Sequence, residues 1–172
     1  IAATRHFGLP VDAAAIATGL RHVIWPARMM PLRSGKLRAL LPADHELWLD
    51  GGHNAHGAAA LARSIAALQD ARPQKLIMIM GMINNRDPVA FLEPFRSFAP
   101  EIMTLTIPGE ANAHKAAAMA GLLTEAGFTA HPKRSIASAL SEAAQVPDAR
   151  VLICGSLYLA GDVLAKNGTP PD

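Results

Sequence analysis

At 172 residues and 51% hydrophobic side chains, the chain can bury one proper core but is too short for two full domains, and 17% charged residues without a low-complexity tract exclude a disordered segment. The formal net charge is only +2 and the Lys and Arg residues are scattered, so nothing supports nucleic-acid binding. The single cysteine, Cys154, excludes an internal disulfide framework and sits in an apolar run as a structural thiol would, and no apolar stretch approaches the ~20 residues that span a bilayer, which together point to a reducing, cytoplasmic setting without a membrane partner.

Residues Ile1 to Pro10 lack the basic start and apolar centre of a signal peptide, and the chain has no initiating Met, so it reads as a piece of something longer. From Pro10 to Leu20, Ala14, Ile16, Ala17 and Leu20 recur at helical spacing behind Asp12 as the cap. Pro26, Pro31 and Pro42 punctuate the next stretch, with Ser34-Gly35 between two short runs, which predicts an irregular hairpin from Trp25 to Pro42. Glu46 to Asp50 then reads as a strand, and Ala58 to Gln69 as a helix with Leu61, Ile65 and Leu68 on one face. Lys75 to Met80 is almost unbroken apolar sequence, as in a strand covered on both faces.

A helix over Pro88 to Phe98 follows, then a strand over Glu101 to Ile107 and a helix over His114 to Ala126 that stops at Gly127. Phe128 to His131 fits a short strand, Ser135 to Gln145 a helix, Arg150 to Cys154 a strand and Leu157 to Lys166 a closing helix. Strands alternating with helices of this length imply βαβ units, so the fold class is α/β, with a mainly parallel sheet flanked by helices.

In such sheets ligands bind beyond the carboxyl ends of the strands, and three predicted exits carry glycine: Gly51-Gly52 after Asp50, Gly81 after Met80, and Gly155 after Cys154. The first is richest in chemistry. Asp50 can accept hydrogen bonds from sugar hydroxyls, and Asn54 is a good cap for a helix whose N-terminus can face a phosphate. The alternative is that Asp50 and Asn54 only cap the turn and His53 is solvated. His53 and His56 lack the spacing and companions of a zinc pair, and neither a P-loop nor a G-x-G-x-x-G fingerprint occurs.

Four motifs in order carry a resemblance. WLDGGHNAHG at Trp48 to Gly57 resembles the DGAHNP motif of folylpolyglutamate synthases and dihydrofolate synthases, members of the Mur ligase superfamily. WPAR at Trp25 to Arg28 is similar to that family's PGR, GMINNRD at Gly81 to Asp87 to its G-x-x-x-D-K-D loop, and CGSLYLAGDVL at Cys154 to Leu164 to its closing helix. Ala27 stands for the Gly of PGR, Gly52 for Ala, Ala55 for Pro, and Asn85-Arg86 for Asp-Lys.

The resemblance implies a Rossmann-like fold, as in Mur ligase C-terminal domains, with residues 1–20 ending the central ATPase domain and residues 21–172 forming the C-terminal ligase domain. It implies a reaction in which ATP phosphorylates a folate or dihydropteroate carboxylate and L-glutamate attacks the acyl phosphate, in a monomeric parent enzyme. The P-loop and Mg2+ ligands of the family belong to the larger N-terminal region, so the chain alone is expected to be inactive. By the same resemblance Arg28 approaches the ATP phosphates, Asp50 the ribose, His53 the phosphate or incoming glutamate, and Ser156 the acceptor amino acid. Two alternatives remain at this point: a free-standing nucleotide-binding or regulatory module, and a ligase domain that joins amino acids to a cell-wall precursor.

Overall fold

The computed structural model describes residues 4, 6–8, 11–23 and 25–170. The expected helix start at Pro10, and most of the stretch from Ile1 to Pro10, lie outside the described residues. Helix α1 spans Ala13–His22 and is capped by the Asp12 carboxylate on the Ala15 N–H, but none of its residues is buried.

The elements that follow are β1 Met30–Pro31, a 3-10 turn Arg38–Leu40, β2 Glu46–Leu49, α2 Ala55–Ala71, β3 Lys75–Met80 and α3 Pro88–Leu92, continued by a 3-10 helix Glu93–Phe98. Then come β4 Glu101–Thr104, α4 Ala116–Glu125, β5 Thr129–Pro132, α5 Ile136–Ala143, β6 Ala149–Cys154 and α6 Leu157–Asn167. Six strands form one sheet in the order β1-β2-β6-β3-β4-β5, with every pair parallel except β1 against β2. The α/β class and the mainly parallel, helix-flanked sheet are therefore as the alternation implied.

Period-two alternation makes the layers. On β3 and β6, Ile77, Ile79, Val151 and Ile153 join the core beneath α5 and α6, where Leu140 and Val163 meet them. Leu76, Met78, Met80, Leu152 and Cys154 join the other core, with Leu61, Ile65, Phe91, Phe95 and Met119. Burying each large apolar side chain contributes about 1.5–3 kcal/mol relative to leaving it exposed.

Three expectations are corrected. The segment after Trp25 forms no hairpin with itself; Met30 and Pro31 pair with Leu49 and Trp48 of β2. The helix from Pro88 changes to 3-10 geometry at Glu93, because Pro94 has no N–H to continue the ladder. The strand from Glu101 ends at Thr104, since its last bonds run from the Leu105 N–H to Met80 O and from the Lys133 N–H to Thr104 O, where the neighbouring strands stop.

At the amino end of the sheet lies a buried polar knot. Arg150, 1% exposed, donates Nε to Glu46 Oε2 at 2.7 Å, Nη1 to Gln69 Oε1 at 2.6 Å and Nη2 to Arg72 O at 3.2 Å. The Arg150 hydrogen bond, aided by one from Trp48 Nε1 at 2.9 Å, holds the Glu46 carboxyl below the usual carboxylate range. The knot links β2, β6 and α2 far from the strand exits.

Candidate functional site

At the carboxyl edge the three glycine-bearing exits are stitched together. The Asp50 N–H donates to Ile153 O at 2.9 Å, the Gly81 N–H to Cys154 O at 3.3 Å and the Gly155 N–H to Gly52 O at 3.0 Å. Gly155 has φ +104, and a Cβ there would lie 2.8 Å from Gly81 O, so only glycine lets these backbones meet.

The β2 exit builds a cleft of about 410 Å3 lined by Arg28, Met29, Asp50, His53, Asn54 and Ser64, among others. Arg28 comes from the segment before β1, which the sheet brings alongside: the Gly51 N–H donates to Ala27 O at 2.8 Å. Ala27 and Met29, on either side of Arg28, both have left-handed backbones, with φ 54 and 41. The exposed Arg28 guanidinium donates to Ala27 O at 3.0 Å, and a Cβ on Gly51 would stand 3.0 Å from Arg28 Nη1 and 2.3 Å from Leu157 Cδ2. The bare Gly51 backbone is what lets these side chains lie across it.

Asp50 is 8% exposed, with Oδ2 accepting from the Met29 N–H at 2.8 Å and Oδ1 from the Gly52 N–H at 2.6 Å. His53, half-buried, donates from Nδ1 to Gly51 O at 3.2 Å, which leaves Nε2 as the nitrogen available to a ligand. Asn54 caps α2 by accepting the Gly57 N–H at 2.8 Å, so the helix N-terminus opens on the same cleft. His56 is exposed and outside it.

Arg28, Asp50 and His53 are therefore brought together, while Ser156 is set apart. Ser156 is 3% exposed and caps α6, its Oγ accepting the Tyr158 N–H at 3.0 Å. It follows directly on Gly155, whose N–H is bonded to the cleft's Gly52. The loop from Gly81 to Asp87 also stays outside the cleft: Asp87 caps α3 through the Val89 and Ala90 N–H groups, and the His114 Nε2–H donates to Arg86 O at 3.1 Å.

Burial, with the Asp50 charge nearby, pushes the Cys154 thiol well up, so it is neutral and inert as its apolar setting implied. Among the described residues no group of three or more His, Cys, Asp or Glu side chains could hold a metal ion, and no helix is long and apolar enough to cross a membrane. The contributions that sequence reasoning missed are backbone ones, the Met29 N–H and the bare Gly51, together with Leu157 lying over it. The positions were visible as glycines, but a main-chain donor has no residue signature.

A family profile described as dihydrofolate synthetase, C-terminal domain, matches residues 36–166, more than half of the chain. The folylpolyglutamate synthase of Lacticaseibacillus casei is 28% identical over 159 residues, covering 90% of this chain and 32% of that protein. A probable bifunctional folylpolyglutamate synthase/dihydropteroate synthase of Halobacterium salinarum is also 28% identical, over 91% of this chain and 18% of its own length. The chain thus spans a third or less of the curated relatives it matches. Among solved structures, Mycobacterium tuberculosis folylpolyglutamate synthase complexed with ADP and AMPPCP has the same fold at TM-score 0.75 and 21% identity, over 98% of this chain and 38% of that one. The bifunctional folylpolyglutamate synthase/dihydrofolate synthase of Yersinia pestis, complexed with AMPPNP and a Mn ion, gives 0.73 and 23%, over 95% and 36%.

Proposed function

The chain belongs to the dihydrofolate synthetase C-terminal domain family, and from that premise we propose that it is the nucleotide-facing domain of a longer ATP-dependent ligase that adds L-glutamate to folate or dihydropteroate. The observation that carries this is the convergence of Arg28, Asp50, His53 and the α2 N-terminus on one cleft at the carboxyl edge. An exposed guanidinium and a helix N-terminus suit phosphate oxygens, and Asp50 keeps a second lone pair on each oxygen for a ribose hydroxyl. His53 Nε2 is placed for the phosphate or the incoming glutamate. Ser156, whose hydroxyl hydrogen remains free to donate, is the candidate nearer the acceptor amino acid.

In the proposed reaction the γ-phosphoryl group moves from ATP to the acceptor carboxylate, the glutamate amine attacks the acyl carbon, and inorganic phosphate leaves. This chain's share is to bind and orient the nucleotide, because it has neither a P-loop nor a metal cluster among its described residues. Mg2+ would be held by the region outside this chain. Residues 1–20 are proposed to end the central ATPase domain and 21–172 to form the ligase domain; that α1 buries none of its residues, with Leu20 71% exposed, supports placing this helix outside the core of the ligase domain, and the helix runs through the proposed boundary as far as His22. The parent is proposed as a monomeric cytoplasmic enzyme.

The test compares the full-length protein with the chain alone. ATP- and glutamate-dependent ADP release should require the full-length protein and a folate or dihydropteroate acceptor. Turnover only with a cell-wall precursor would move the domain to another ligase branch, and micromolar nucleotide binding by the chain alone would favour a free-standing module.

A further inference from the structure

We propose that Asp50 is a positioning residue for Arg28, acting through the backbone of the turn that carries the arginine; the inference rests on the nucleotide-facing role of this cleft. Two neighbouring residues of that turn, Ala27 and Met29, occupy the left-handed region at φ 54 and 41, where side chains other than glycine are disfavoured by about 1–2 kcal/mol each. A turn so strained persists only where surrounding bonds over-determine it. Here two bonds do so from the β2 exit: the Met29 N–H to Asp50 Oδ2 at 2.8 Å, and the Gly51 N–H to Ala27 O at 2.8 Å.

The carboxylate is a two-sided clamp, because its other oxygen accepts the Gly52 N–H at 2.6 Å. One nearly buried charge, 8% exposed, thus ties the Arg28 turn to the glycine turn that floors the cleft. Arg28 then needs no partner side chain to be aimed. Its guanidinium is steered by Ala27 O at 3.0 Å and lies across Gly51. Releasing Asp50 would free Met29 to relax to negative φ while the Gly51 N–H still holds Ala27 O, and the turn would no longer fix the direction of the Arg28 Cα–Cβ bond. A ribose hydroxyl can share the same carboxylate, but this role exists without any ligand.

Two experiments test it. The first needs no turnover: amide hydrogen exchange on the chain itself, wild type against Asp50→Ala and Asp50→Asn. Met29 and Gly52 amide protection should both fall by about tenfold or more in Asp50→Ala, and one of the two should fall in Asp50→Asn, since Asn presents only one acceptor oxygen, while protection in β3 and β6 persists. Unchanged Met29 protection in Asp50→Ala overturns the proposal.

The second is a kinetic cycle in the full-length ligase. Asp50→Ala and Arg28→Ala should each lower kcat/KM for ATP, and the double variant should fall within about threefold of the worse single, because the arginine is already misplaced when the clamp is gone. The Asp50→Ala defect should persist with 2′- and 3′-deoxyATP. Losses that multiply in the double variant, or a defect that vanishes with either deoxynucleotide, refute positioning and leave a ribose contact. Arg28→Ala with unaltered ATP kinetics, alongside lost Met29 protection in Asp50→Ala, would instead retain the clamp and refute the nucleotide role of Arg28.

Discussion

Replacing Arg150 with Met tests what the buried knot at the amino end of the sheet is worth. The substitution keeps most of the buried volume but removes the donors to Glu46 Oε2, Gln69 Oε1 and Arg72 O. Gln69 Oε1 keeps the Gln74 N–H at 2.9 Å and Glu46 keeps Trp48 Nε1, so the main loss is an uncompensated carboxylate in a site that is 28% exposed. Breaking a fully buried pair from one side costs about 3–5 kcal/mol, and partial hydration of Glu46 brings the expectation to about 2–4 kcal/mol. For a chain of this size that lowers Tm by roughly 5–15 °C, read by thermal unfolding at pH 7. The folded-state pKa of Glu46 is depressed, so its contribution is complete above the ordinary value of about 4.3 and is lost as pH falls through the lower folded value. Arg150→Met should therefore be closer to wild type in acid than at pH 7, and adding Glu46→Gln should recover part of the loss at pH 7. A Tm unchanged at pH 7, or a deficit that does not shrink below pH 4, would refute this account of the knot.

Gly155→Ala should destabilise the chain by about 2 kcal/mol or more, because φ +104 and a backbone oxygen 2.8 Å from the new Cβ leave nothing flexible to yield; urea unfolding measures it. Ala99→Gly should raise stability by about 0.5–1 kcal/mol in the same assay, since Ala99 is exposed and closes its helix in the left-handed region at φ 44. The Cys154 thiol should resist iodoacetamide at pH 8 in the native state and react after unfolding, and native labelling at the unfolded rate would contradict its complete burial.

Most of the layer structure was legible because burial on both faces leaves its mark in sequence. The run Lys75–Met80 is a strand over the predicted range, and Gly127, at φ 84, ends α4 where the C-terminal glycine was expected. Boundaries set by neighbours were not legible. Thr104 ends β4 because Met80 and Pro132 end the flanking strands, which no residue in 101–107 announces. Met30–Pro31 pairs with residues about 18 positions away, across turns whose prolines signal irregularity but not a partner.

The site divides in the same way. Asp50, His53 and Asn54 share one turn, so their proximity was readable, and the WPAR string marked Arg28 through family resemblance. That Asp50 faces Met29 and not only solvent depends on β1 folding against β2, a tertiary fact. Ser156 shows the converse, a visible motif residue whose hydroxyl the fold directs into a helix cap.

The central claim, that this domain presents Arg28 to the nucleotide of an ATP-dependent glutamate ligase, is tested most directly by steady-state kinetics of the full-length enzyme carrying Arg28→Ala and Arg28→Lys, with folding checked by Tm. Loss of a charge-assisted contact worth about 1.5–3 kcal/mol predicts that kcat/KM for ATP falls on the order of 10- to 100-fold in Arg28→Ala. Lysine should recover only part of it, because its point charge lacks the guanidinium fork. Full ATP-dependent turnover in Arg28→Ala would contradict the claim.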